Sequence, residues 1–121
     1  MGELQAIVRF TFHPGGVEEF KHLSARCLEI VRSNDDGTLQ YDTFFNADES
    51  QSIVLERFRD ADALILHGEN MAPLMESIMA TAAVSGELLG DLSEELRARM
   101  AGSPVGLFTL YQALERPDAA S

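Results

Sequence analysis

The chain has 121 residues, and one lysine (Lys21) and eight arginines stand against twenty acids, for a formal net charge of −11. That balance argues against nucleic-acid binding and against an anionic membrane surface, both of which need basic residues. Hydrophobic residues make up 45% and charged residues 24%, the balance of one globular domain over 1–121, with only the polar end "RPDAAS" (116–121) expected to be disordered. Cys27 is the single cysteine, so no intramolecular disulfide forms, and no Cys-x-x-Cys or His-x-x-x-His spacing suggests a metal. The start "MGELQAIVRF" lacks the basic-then-apolar pattern of a signal peptide, and no apolar run is long enough to span a bilayer. A cytoplasmic location is the default expectation.

"LQAIVRFTFH" (4–13) alternates, with Leu4, Ala6, Val8, Phe10 and Phe12 on one side and Ile7 and Arg9 on the other, as a strand does. From Val17 the period changes. Val17, Phe20, Leu23, Cys27, Ile30 and Val31 form a helical stripe, and "SNDDG" (33–37) ends the helix, Gly37 supplying a positive φ. "TLQYDTFFN" (38–46) and "SIVLERFR" (52–59) read as two strands joined by the polar "ADES", an antiparallel hairpin. If Phe45 pairs with Ser52, Tyr41 faces Glu56 and Leu39 faces Phe58.

Asp60 is placed to cap a helix starting at Ala61. That helix is expected to fail near Gly68, leaving His67 close to its end and Asn70 in a turn. Pro73 then opens a second helical piece, "PLMESIMATA" (73–82). "VSGELLGD" (84–91) is the fourth strand, "SEELRARM" (93–100) a short helix capped by Ser93, and "VGLFTLYQAL" (105–114) a last strand-like segment. The order is the α+β, ferredoxin-like βαββαβ arrangement: an antiparallel sheet under two helices, with an extra C-terminal helix and strand. The core spans 4–90 and the extension 91–121.

Helices cover one face of such a sheet, yet both faces are apolar. Phe44, Ile53 and Leu55 lie opposite Tyr41, Phe45 and Val54. A second apolar face calls for a partner, and the simplest partner is another copy, giving a homodimer through the sheet faces.

Three pieces in order, Gly37-Thr38-Leu39-Gln40-Tyr41, then Glu56-Arg57-Phe58, then Ala63-Leu64-Ile65-Leu66-His67, resemble the antibiotic biosynthesis monooxygenase family, the small quinol-monooxygenase-like proteins. The resemblance covers about residues 4–90. It implies a dimeric α+β barrel, two ferredoxin-like halves with their sheets face to face, and a cavity in each subunit between sheet and helices. Some relatives oxidise phenolic or quinol-type substrates with molecular oxygen and no bound metal or flavin; others cleave haem. The absence of tryptophan weakens a haem-degrading reading, because several such relatives place one in the pocket.

Among the candidate site residues, His67 combines a suitable proton affinity with an inward position, as a general base for a phenol must; the alternative is a histidine at a helix C-terminus. Glu56, set among Leu39, Tyr41, Val54 and Phe58, is either a structural partner of Tyr41, His67 or Arg9, or a group with a shifted pKa that orients the base or substrate. Tyr41 is read as orienting a phenolic ligand or as packing, and Asn70 as an amide donor to a phenolate oxygen or as a turn residue. Met71 and Met75, in a stripe continued by Met79, fit core filling or an adaptable apolar pocket. Cys27 reads as a core thiol and Asn46 as a hairpin residue. Two functional expectations follow. One is a monooxygenase acting on a small quinol or phenolic, polyketide-like aromatic compound with molecular oxygen and no cofactor. The other is a non-catalytic dimeric module that binds a small apolar ligand.

Overall fold

The computed structural model describes residues 2–115; the end expected to be disordered, 116–121, lies outside them. The elements are β1 (Leu4–Phe12), α1 (Gly16–Asn34), β2 (Thr38–Phe45), β3 (Gln51–Phe58), α2 (Ala61–Met79), β4 (Ala82–Leu89), α3 (Glu94–Met100) and β5 (Gly106–Phe108). The strands form one sheet in the order β2-β3-β1-β4-β5. All neighbours are antiparallel except β4 and β5, which run parallel. This is the ferredoxin-like βαββαβ arrangement with a helix and a short strand added. The last strand-like segment is shorter than the alternation suggested: three of its residues pair with β4, and the rest leave the sheet.

Strand alternation sorts the side chains. Leu4, Ala6, Phe10, Val54, Phe58, Ala82 and Leu88 are buried on the helix-covered face. Ile7, Phe44, Ile53, Leu55 and Leu89 fall on the other face, which no element among the described residues covers, and Phe44 there is 51% exposed. The inner residues meet Phe20, Leu23 and Cys27 of α1 and Met71, Leu74 and Ile78 of α2 in one core cluster. A second cluster joins Leu4, Ala6, Phe58, Ala63 and Leu88 to Leu96 of α3. The C-terminal helix is therefore packed into the domain. Ser93 caps it by accepting from the Leu96 amide at 3.1 Å.

Three local expectations are corrected. α2 does not break: Gly68 and Pro73 both lie inside one continuous helix. Its buried residues, Ala63, His67, Met71, Leu74 and Ile78, keep a helical spacing straight through both positions. Gly68 and Pro73 sit on the exposed side, so the packed stripe outweighs the local cost of the missing Pro73 amide hydrogen bond. His67 is thus mid-helix, neither at the end nor a C-terminal cap, and Asn70 is helical rather than a turn residue. Next, Gly37 is not among the positive-φ residues; it is needed because a Cβ there would stand 2.5 Å from the Cβ of Ala63. Finally, Phe45 does pair with Ser52 and Tyr41 with Glu56, but the register slips at Leu39, so Thr38 rather than Leu39 lies opposite Phe58.

Candidate functional site

The turn after α1 is held from several sides. The Asp35 amide donates to the Val31 carbonyl at 3.1 Å, Thr38 N–H donates to the Asp35 carbonyl at 3.1 Å, and Arg59 N–H donates to the Gly37 carbonyl at 2.8 Å. The close approach of Gly37 to Ala63 then brings this turn against α2. As a result the Asp35 side chain, 1% exposed, points at the middle of α2. Its Oδ2 lies 2.7 Å from His67 Nδ1, and its Oδ1 accepts from the Asn70 amide. With both oxygens accepting, Asp35 acts as an acceptor-only carboxylate, and the His67 ring proton belongs on Nδ1.

The other ring nitrogen, Nε2, faces Glu56 of β3, with 3.7 Å to Oε1; that is longer than a hydrogen bond. Phe58 and Tyr41 flank the imidazole, their ring centroids 5.2 Å and 5.6 Å from it. Asp35, His67, Glu56 and Tyr41 therefore come together between α1, α2 and the β2–β3 hairpin. The two carboxylates address different ring nitrogens instead of one shared point, and among the described residues no cluster of such ligands is arranged to hold a metal ion.

Burial sets the protonation chemistry. The Glu56 carboxyl is pushed up from 4.5 to about 8, first by burial and then by the negative charge of Asp35. The His67 pKa is lowered by burial, against the opposing hydrogen bond and charge of Asp35. Tyr41 is raised, chiefly by burial and then by Cys27 and Glu56, and the Cys27 thiol is raised by burial. At neutral pH the arrangement is an Asp35 acceptor, a neutral imidazole with its proton on Nδ1, and a protonated Glu56 beside Nε2. An acid and a base are thus held side by side in a dry setting.

One space adjoins this group, and a second, lined by none of its four residues, lies against β1 and β4. A small cavity of about 30 Å3 is lined by Cys27, Tyr41, Glu56, Phe10, Phe20 and Ile78 among others, room for about one water molecule. A cavity of about 350 Å3 lies on the far side of α2, against β1, β4 and the C-terminal extension, and Leu64, Met75, Met79, Met100 and Val105 are among its walls. Ala6 also lines it, and Ala6 is the β1 neighbour of Glu56. Of the two methionines read as ligand contacts, Met75 faces this cavity, whereas Met71, one turn after His67, is buried in the core. Asn70 holds Asp35 instead of facing either cavity. Cys27 is a buried thiol, and Asn46 closes the hairpin by accepting from the Gln51 amide at 2.9 Å.

Asp35 is the residue that sequence reasoning missed, because "SNDDG" reads as a plain helix stop. A signal was present: an acid at a helix C-terminus opposes the helix dipole and wants a partner elsewhere.

The fold is shared with several solved structures. MupZ from Pseudomonas fluorescens is 26% identical over 98% of this chain and 93% of its own, with a TM-score of 0.80. Rv0793 from Mycobacterium tuberculosis is 23% identical over 77% of this chain and 98% of its own, with a TM-score of 0.67. SnoaB from Streptomyces nogalater, a cofactor-independent oxygenase, is 20% identical over 73% of this chain and 91% of its own, with a TM-score of 0.64. The likeness to MupZ extends through the C-terminal helix and strand. No curated protein sequence is significantly similar to the chain. The family model described as "Antibiotic biosynthesis monooxygenase" matches residues 4–71, more than half of the chain and the stretch that carries Asp35, Tyr41, Glu56 and His67. This chain belongs to the antibiotic biosynthesis monooxygenase family.

Proposed function

We propose that the protein is a cofactor-independent monooxygenase acting on a small quinol or phenolic, polyketide-like aromatic compound. The observation that carries this reading is the buried Glu56 carboxyl, its pKa raised by burial, 3.7 Å from the Nε2 of a histidine whose other nitrogen is bonded to Asp35. Oxygen reacts far more readily with a phenolate or enolate than with the neutral compound, so the protein's task is to remove one proton in a dry site. In this mechanism a substrate hydroxyl gives its proton to Glu56 as Glu56 passes its own to His67 Nε2. The resulting imidazolium is stabilised by Asp35, and Tyr41 and the ring of Phe58 border the reacting group. The phenolate or enolate carbon then combines with oxygen to a hydroperoxide. Loss of water from it leaves a ketone or quinone. In balance, one methylene carbon of the keto tautomer and one molecule of oxygen give one carbonyl group and one molecule of water.

The cavity of about 350 Å3 has the size of a small-ligand site. It offers an aromatic ligand a seat against Ala6, the β1 neighbour of Glu56, with Met75 and Met79 as adaptable walls, while Glu56, His67 and Tyr41 themselves are not among its lining residues. Family membership and the shared fold of SnoaB, itself a cofactor-independent oxygenase, also support the reading. The active unit is a homodimer joined through the apolar outer face of the sheet.

The test is oxygen uptake with a panel of quinols and hydroxylated polyketide-like aromatics. Wild type is expected to turn over at least one of them, with His67→Ala and Glu56→Gln slower by at least about a hundredfold, the scale of a lost acid–base step. Equal rates in the three proteins would sink the assignment. One observation favours the second reading, a non-catalytic dimeric module for a small apolar ligand: the space lined by Glu56 and Tyr41 themselves is only about 30 Å3. A ligand that co-purifies and survives unchanged under oxygen would establish that alternative.

A further inference from the structure

Glu56 is buried with its hydrogen-bonding capacity unmet. Its side chain is 10% exposed, and His67 Nε2 stands 3.7 Å from its Oε1, beyond hydrogen-bond length. A buried carboxyl without a partner is costly. Beside it lies the cavity of about 30 Å3, where the Glu56 carboxyl is joined by two hydroxyl-bearing residues, Ser24 of α1 and Tyr41 of β2. The remaining walls are Phe10, Phe20, Val54, Ile78 and the Cys27 thiol.

Ser24 and Tyr41 differ from the other walls in one respect. Both also line an open groove of about 650 Å3 between α1 and β2, and they are the two residues common to both linings. Lys21 and Asp42 stand on the walls of that groove, and charged groups keep their water. Each half-buried, Ser24 and Tyr41 thus form the partition between a wet groove and a buried acid. Other directions from Glu56 lead deeper into the protein. His67 and, behind it, Asp35 have side chains 9% and 1% exposed, and Glu56 does not line the cavity of about 350 Å3.

We infer that the small cavity holds one buried water molecule bonded to Glu56, and that this water and the hydroxyls of Tyr41 and Ser24 form a proton path from Glu56 to the α1–β2 groove. The volume suits a single water, and Glu56, Tyr41 and Ser24 supply the polar partners that a buried water needs. Dioxygen in the same space would leave the carboxyl and both hydroxyls unpaired. Along the path every oxygen takes one proton and passes on another. Glu56 gives its proton to the water, the water gives one to a hydroxyl, and that hydroxyl releases its own to the groove; the reverse sequence reloads Glu56. The catalytic meaning of the path rests on the acid–base reading above: an acid that hands its proton to His67 is reloaded from solvent without the substrate leaving. Ser24 is then a positioning residue that acts through the water.

The experiment needs neither substrate nor oxygen. Water-selective NOE spectra of protein labelled in tyrosine rings and in isoleucine and valine methyl groups are expected to show a long-lived water at Tyr41, Val54 and Ile78. Ser24→Val is expected to lose it; Ser24→Thr, equal in shape but with the hydroxyl kept, is expected to retain it. In infrared spectra below pH 8 the Glu56 carboxyl band, identified by its absence in Glu56→Gln, is expected to shift on transfer to D2O. That shift should come at least about tenfold more slowly in Ser24→Val, where exchange waits on local opening, and at the wild-type rate in Ser24→Thr. A dry cavity whose methyl groups respond to xenon instead, a missing carboxyl band, exchange as fast in Ser24→Val as in wild type, or a Ser24→Thr protein that behaves like Ser24→Val would overturn the path. Failure of the oxygenase reading shows separately, as equal oxygen uptake by wild type, His67→Ala and Glu56→Gln.

Discussion

Asp35 and His67, thirty-two positions apart in sequence, form one buried hydrogen-bonded unit: Oδ2 meets Nδ1 at 2.7 Å, and Asn70 holds the other carboxylate oxygen. The imidazole is thereby left with a donor side and an acceptor side, and only the acceptor side faces the sheet. Two groups depend on one carboxylate, so its removal orphans both. Asp35→Ala is expected to lower stability by about 1–3 kcal/mol for each orphaned group, read as a shift of the urea unfolding midpoint. Asp35→Asn keeps the shape and is expected to lose less stability. It should nevertheless change the His67 ring 15N shifts, because an amide can donate to Nδ1 and stabilise the other tautomer. Unchanged shifts would remove Asp35 from the account of the ring proton.

Glu56 makes stability fall with rising pH. Its folded pKa, about 8, lies above the ordinary 4.5, so the folded state keeps a proton that the unfolded chain has released. Its contribution is complete below about pH 4.5 and is lost as pH climbs to 8, at a limiting slope of about 1.4 kcal/mol per pH unit. His67 works in the opposite sense and lower down. Its lowered pKa costs stability only as pH drops below the ordinary value of 6.5. Between pH 6.5 and 8 the decline therefore belongs to Glu56. Unfolding free energies measured across that range should slope downward in wild type and be nearly flat in Glu56→Gln.

The turn that aims Asp35 depends on the absence of a side chain at Gly37. An added methyl group would meet the Ala63 Cβ at 2.5 Å, and α2 cannot retreat without pulling His67 from Asp35. Gly37→Ala is expected to cost about 1–3 kcal/mol in thermal unfolding and to shift the His67 ring resonances. A variant as stable as wild type would show that the turn has slack.

Met75 of α2 is a half-exposed wall of the large cavity, which neither Asp35 nor His67 lines. Met75→Trp fills part of the roughly 350 Å3 space. Binding of a naphthalene-sized quinol, followed by anaerobic calorimetry, is expected to weaken at least tenfold while the unfolding temperature stays within a few degrees. Undiminished affinity would place the ligand elsewhere.

Strands and helices were legible because their periods differ, and the hairpin register followed from the alternation around Phe45 and Ser52. Family-like order brought Tyr41, Glu56 and His67 forward as a group, and they do lie together. The continuity of α2 was not legible. Gly68 and Pro73 are true local breakers, and only the tertiary burial of Met71, Leu74 and Ile78 overrides them. Asp35 was hidden for a related reason. A loop acid acquires its role from a side chain thirty-two residues on, and no local pattern encodes that distance. Leu39 illustrates how a single slipped residue ends a register that is correct up to that point.

The position of β1 sets the sequence of events when the chain is made. β1, made before the other strands of this sheet, lies at its middle, bonded on one side to residues 51–58 and on the other to 82–89. Its first neighbour, 51–58, emerges only after α1 and β2, and its other edge stays open until 82–89 follows, whereas the β2–β3 hairpin closes locally. Folding is therefore expected to wait on the last core strand, with the apolar residues of β1 dependent until then on the ribosome or a chaperone for cover.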